Sequence, residues 1–153
     1  TEAAIVADGL VDANLWQRVR STALALYARG SEIAANAGLI LVDTKYEFGL
    51  IDGKLALIDE VHTPDSSRYW LADTYDEART PTSLDKEHVR TWLKSVGYSG
   101  DGENPPIPDT LAVELALRYI HAFERLTQTP FEPATTPVGD HLARALSPWS
   151  IGA

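Results

Sequence analysis

The stretch from residue 39 to residue 58 constrains the fold more than any other. Leu39-Ile40-Leu41-Val42 is an aliphatic run, rich in β-branched residues and too short for a helix. It reads as a buried strand. Lys45 to Ile51 continues in extended character. Asp52-Gly53 is a turn dipeptide, and Lys54-Leu55-Ala56-Leu57-Ile58 reads as the returning strand of a hairpin.

The rest of the chain reads mostly as helix. Leu15, Val19, Ala23 and Leu26 recur at helical steps, with Asp12 as N-cap and Gly38 as stop, which predicts a helix over 12–37. Gly30 and Ser31 interrupt that pattern and predict a bend, because a glycine inside a helix costs about 1 kcal/mol relative to alanine. After the hairpin, His62 to Trp70 is a polar segment holding Pro64 and reads as a loop. A second helix is predicted over 84–96, with Ser83 or Asp85 near its start, and a third over 109–127, capped by Asp109. From Pro130 the tail, 130–153, reads as an extended arm with a short helix near Asp140–Leu146.

Composition narrows the function. With 13 basic and 22 acidic residues in 153, the net charge is -9. A basic footprint for nucleic acid is absent, and so is the attraction that would bring the chain to an anionic membrane surface. An anionic substrate must be met by a few placed cations or by a metal. There is no cysteine, so disulfide scaffolds, cysteine nucleophiles and thiolate metal sites are excluded; this fits a cytoplasmic protein. No apolar run reaches membrane-spanning length. The chain holds no methionine, so it reads as a processed product or as a piece of something longer.

Three polar residues stand where a buried strand should be apolar: Asp43, Lys45 and Glu47. They alternate with Thr44, Tyr46 and Phe48, so an extended chain puts all three on one face. Asp59 and Glu60 close the partner strand. Acids around a lysine suit a Mg²⁺–phosphate site, where the ion takes one or two carboxylates and the ammonium meets the phosphate as a point charge. The plainer alternative is a solvated face on which Lys45 pairs with Glu47 or Asp59. A strict two-residue loop at Asp52-Gly53 sends Asp59 to the face opposite Glu47, so a shared ion calls for an odd loop or a bulge. Asp65-Ser66-Ser67-Arg68 has the makings of an anion site, with a guanidinium fork and hydroxyl donors. His62 reads as a solvent-exposed loop histidine. His88, His121 and His141 lack the spacing of zinc ligands, and Trp16, Trp92 and Tyr119 read as core. Glycine-rich phosphate loops are absent.

Two blocks together resemble a known family. Gly38-Leu39-Ile40-Leu41-Val42-Asp43-Thr44-Lys45-Tyr46-Glu47-Phe48-Gly49 is similar to the signature of SAICAR synthetases. Leu57-Ile58-Asp59-Glu60-Val61 with Thr63-Pro64-Asp65-Ser66-Ser67-Arg68-Tyr69-Trp70 is similar to the family's second block. The resemblance implies an α+β fold, an antiparallel sheet with flanking helices, whose lobe arrangement resembles ATP-grasp and kinase-like enzymes. It implies an ATP-dependent ligase that joins L-aspartate to the carboxylate of carboxyaminoimidazole ribonucleotide (CAIR), with ATP and Mg²⁺, through an acyl phosphate. By position, Glu47 and Asp59 would carry Mg²⁺–ATP, and Lys45 would neutralise the transferred phosphoryl. Asp43 would orient Lys45 or the amine. Ser67 and Arg68 would hold the CAIR phosphate, with Asp65 and Ser66 shaping their loop. It further implies that residues 1–153 form a C-terminal lobe, with 38–70 as active-site hairpin and loop and 84–127 as a helical part. The N-terminal nucleotide lobe would then be absent, leaving this chain incomplete as an enzyme. Two alternatives stay open: another ATP-grasp or kinase-like phosphotransferase, and a non-catalytic binding fragment of the same family.

Overall fold

The computed structural model describes residues 1–76 and 81–149; the end of the expected tail, 150–153, lies outside them. A short helix α1, Glu2–Ala7, leads to the long helix α2, Ala13–Asn36. Asp12 caps α2 as expected: its carboxylate accepts from the backbone N–H groups of Asn14 and Leu15 at 2.9 and 3.0 Å. Gly38, at φ +70°, takes the left-handed turn that ends it.

Four strands follow, β1 (Leu39–Thr44), β2 (Phe48–Ile51), β3 (Lys54–Leu57) and β4 (Ser67–Leu71). They form two antiparallel ladders rather than one sheet, β1 with β4 and β2 with β3. The β2–β3 hairpin turns at Asp52-Gly53, both at positive φ, with Ile51 opposite Lys54. The loop expected over 62–70 is corrected at its end: Ser67 to Trp70 belong to β4. Ser67 and Tyr69 point inward, fully buried, while Arg68 between them is exposed. The polarity that suggested a loop is the outer half of an ordinary strand alternation.

β1 contains the irregularity on which the site depends. Leu39 and Leu41 are buried, so strict alternation would drive Asp43 into the core as well. The ladder runs Leu41 opposite Tyr69 and then Asp43 opposite Arg68, leaving Val42 unpaired. This bulge resets the parity and turns Asp43 outward. The Tyr27 hydroxyl, from α2, lies 2.9 and 3.1 Å from the carbonyl oxygens of Leu41 and Val42, so it serves the carbonyls at the bulge.

Beyond β4, Leu84 extends the sheet edge by donating its N–H to the Tyr69 carbonyl at 2.9 Å. The second helix, α3, is therefore Glu87–Ser95, shorter than the expected 84–96. α4, Asp109–Thr127, has the expected span, though Pro108 rather than Asp109 takes the cap position. α5 is Val138–Leu146. The core gathers Ala34 of α2, Leu39 and Leu41 of β1, Tyr69 of β4, Leu84 and Ala122 of α4. Gly30 also has a packing role: a Cβ there would meet the His62 ring at 2.3–2.8 Å.

Candidate functional site

Past Thr44 the chain leaves the ladder, yet its exposure still alternates. Asp43, Lys45 and Glu47 are exposed, and Thr44, Tyr46 and Phe48 are half-buried. The expected polar face exists, but its members divide between two clusters. The Arg68 guanidinium grips Asp43 through Nε and Nη2 across the β1–β4 ladder. The bulge makes Asp43 the cross-strand partner of Arg68, and it is this guanidinium, not Lys45, that its carboxylate contacts here. The Lys45 ammonium lies 2.5 Å from Glu47 Oε1 and 3.4 Å from Asp59 Oδ2. Hydrogen bonds to those two carboxylates push the Lys45 pKa above its ordinary value.

Glu47 and Asp59 thus converge without the odd loop or bulge expected of their hairpin. The loop is a strict two-residue turn, and pairing ends at Phe48 opposite Leu57. One further bond, Ile58 N–H to the Glu47 carbonyl at 3.1 Å, closes the ladder. Asp59 sits in a bend beyond it, free of the strand parity that would have turned it away. Among the described residues no group of three or more His, Cys, Asp or Glu is placed to hold a metal ion. Two carboxylates suffice for Mg²⁺ only when phosphate oxygens and water complete its shell, and here both contact the Lys45 ammonium.

Beside Lys45 opens a cleft of about 400 Å³. Six of the residues singled out from sequence line it: Asp43, Lys45, Asp65, Ser66, Ser67 and Arg68. Glu47 and Asp59 do not; both contact the Lys45 ammonium. The serine loop is tightly built. Thr63 bonds the Glu60 carboxylate and also accepts the Ser66 N–H at 3.2 Å, while Ser67 donates to the Thr44 hydroxyl at 2.9 Å. Lys45 N–H bonds the Ser66 carbonyl at 3.0 Å, joining the loop to the lysine segment.

Sequence reasoning missed the far wall of the cleft: Asp85, Lys86 and Arg90. Lys86 reaches Asp65 at 2.8 Å and holds its carboxyl below the usual carboxylate range. Asp85, 1% exposed, accepts from the backbone N–H groups of Tyr69 at 3.2 Å and Glu87 at 2.8 Å. It welds β4 to the start of α3. The available signal was Asp85 and Lys86 at a helix start, with Arg90 one turn on, facing the same way as Lys86. His62 was misread as solvent-exposed. It is half-buried, its Nε2 lies 2.5 Å from the Tyr46 hydroxyl, and burial pushes its pKa down.

An acid–lysine–acid cluster thus stands beside a cleft lined by Arg68, Lys86 and Arg90 together with Asp43, Asp65 and Asp85. The family model of SAICAR synthetase matches residues 1–106, and this chain belongs to that family. Phosphoribosylaminoimidazole-succinocarboxamide synthase of Legionella pneumophila (strain Lens) is 41% identical over 153 residues, 95% of this chain and 49% of the relative. The solved SAICAR synthase of Saccharomyces cerevisiae, complexed with SAICAR, superposes with a TM-score of 0.74 at 32% identity, over 87% of this chain and 44% of that one. A type-2 SAICAR synthetase in complex with ADP gives a TM-score of 0.55 at 30% identity, over 76% and 40%. The chain spans about half the length of the curated relatives it matches. No described helix is long and apolar enough to cross a membrane.

Proposed function

We propose that this chain supplies the phosphoryl-handling and ribonucleotide-binding part of a cytoplasmic ATP-dependent ligase. The enzyme joins L-aspartate to CAIR, giving SAICAR, ADP and phosphate, in purine biosynthesis. The observation that carries the reading is Lys45, held between Glu47 and Asp59 at the edge of a cation-lined cleft, in a chain of this family. A further lobe outside this chain completes the ATP pocket.

The chemistry asks for three things, and each has a candidate. Negative charge develops on the phosphoryl passing from ATP to the CAIR carboxylate, and the Lys45 ammonium offsets it. Its carboxylate neighbours keep it protonated and aimed. Once the Lys45 ammonium turns to the phosphoryl, Glu47 and Asp59 would be released to hold Mg²⁺, which when bound neutralises the polyphosphate. The phosphate of CAIR enters the cleft against Ser67, Arg68 and the far-wall cations Lys86 and Arg90. The Arg68 fork is engaged by Asp43 through Nε and Nη2, so the phosphate must take the place of that carboxylate to meet it. Asp65 and Ser66 shape the loop. The amine of aspartate then displaces phosphate from the acyl carbon.

In the full-length enzyme, Lys45→Ala is expected to lower turnover by about 10²–10³ with the fold intact. Lys45→Arg recovers only part of this, because a planar fork replaces a compact charge. CAIR- and aspartate-dependent ADP release measures both. Near-normal release from Lys45→Ala would make the cluster a solvated ion pair and sink the proposal.

A further inference from the structure

Between Lys45 and Glu47 the chain turns Tyr46 the other way, toward the interior. Its hydroxyl lies 2.5 Å from His62 Nε2, and the two rings meet edge to face with centroids 5.5 Å apart. Burial disfavours the charged imidazole, so the contact is a hydrogen bond between a neutral ring and the phenol, its donor set by the tautomer. The other side of the His62 ring fills the space a Cβ would need at Gly30, in the interior of α2. The backbone of His62 is held too. It sits at φ +58°, a left-handed conformation uncommon for a non-glycine residue, and its carbonyl accepts from the Tyr69 hydroxyl at 2.7 Å. Thr63, the first residue of the serine loop, follows directly.

One imidazole is thus fastened to α2, to the lysine segment and, through its own backbone, to β4. It does not line the cleft, so proton transfer to a ligand there is not its task. We propose that His62 is a positioning residue, whose ring, wedged on Gly30 and bonded to Tyr46, sets the distance between Lys45 and the 63–68 loop. This rests on the ligase reading above, because it assigns those two segments to the transferred phosphoryl and to the ribonucleotide phosphate. It also explains the glycine inside a 24-residue helix: alanine would suit the helix better, but would displace the ring.

The test uses four variants of the full-length enzyme with Lys45→Ala as control. Gly30→Ala leaves both partners chemically intact and pushes the ring away. Tyr46→Phe removes one oxygen. His62→Ala removes the wedge, and His62→Gln keeps an acceptor at similar reach. The expected result is a fall in kcat of about tenfold or more for the first three. The KM values for ATP, CAIR and aspartate stay within about threefold, melting temperature changes little in Gly30→Ala, and His62→Gln recovers most of the rate. If kcat holds within about twofold in Gly30→Ala and Tyr46→Phe while Lys45→Ala is inactive, the ring is only packing and this inference falls alone. If Lys45→Ala also turns over normally, the ligase reading falls instead. Should His62→Ala fail to fold, Tyr46→Phe, the mildest change, decides.

Discussion

The β1–β4 ladder and the β2–β3 hairpin are of similar size and opposite character. The first carries Leu39, Leu41, Ser67 and Tyr69 into the core and pairs residues 23 to 32 positions apart. The second turns in two residues, buries no side chain fully, and leaves Leu50 and Ile51 more than half exposed. Yet each delivers one half of the site, Arg68 and Asp43 from the first, Glu47 and Asp59 from the ends of the second. Packing therefore fixes the ribonucleotide side of the proposed site, whereas turn geometry and one lysine fix the phosphoryl side.

Stability measurements on the full-length protein can break this contrast. Leu41→Ala should cost about 2–5 kcal/mol in urea unfolding, the range for an aliphatic side chain removed from a packed core. Leu50→Ala, on the hairpin, should stay within about 0.5 kcal/mol; equal losses would mean that the hairpin is as deeply packed as β1. An effect between these two is expected from Gly53→Ala. The +74° backbone at that residue makes any Cβ costly, by about 1–2 kcal/mol, without touching the core. If its loss matched that of Leu41→Ala, the turn would be holding more than its own two strands.

The smallest expected effect is on pH dependence. Burial lowers the folded-state pKa of His62, so the unfolded chain binds the proton more readily. The contribution is complete above the unfolded value near 6.5 and erodes as pH falls below it, toward the folded value. His62→Gln should remove that part of the acid slope just below about pH 6.5. An unchanged slope would show that the ring titrates as freely as in the unfolded chain.

These differences also explain what could be read from sequence. The α2 helix, its Asp12 cap, α4 and the Asp52-Gly53 turn are local features, and each was legible. The partner of β1 was not, because nothing in Ser67-Arg68-Tyr69-Trp70 announces pairing with residues 39–44. The bulge at Val42 was hidden for the same reason, although its symptom was visible: Asp43 in phase with Leu39 and Leu41. Asp43, Lys45 and Glu47 were found together, but their division between Arg68 and Asp59 depends on where two ladders stop. Gly30 was noticed as an interruption, and its cause lay 32 residues downstream. Lys86 and Arg90 were overlooked because their only mark is helical spacing on a short, ordinary helix.

Among the described residues, every cation lining the cleft already has a carboxylate companion: Arg68 with Asp43, Lys86 with Asp65, Arg90 with Glu87, and Lys45 with Glu47 and Asp59. From a distance these pairs cancel, and the remaining field of this chain is that of its -9 net charge. On the reading proposed above, this chain's field repels an incoming phosphate ester until it is close enough to exchange partners with a carboxylate. Capture at this cleft is then a contact event rather than a guided approach. Added salt, by screening the repulsion, quickens the encounter instead of slowing it, the reverse of an electrostatically steered site.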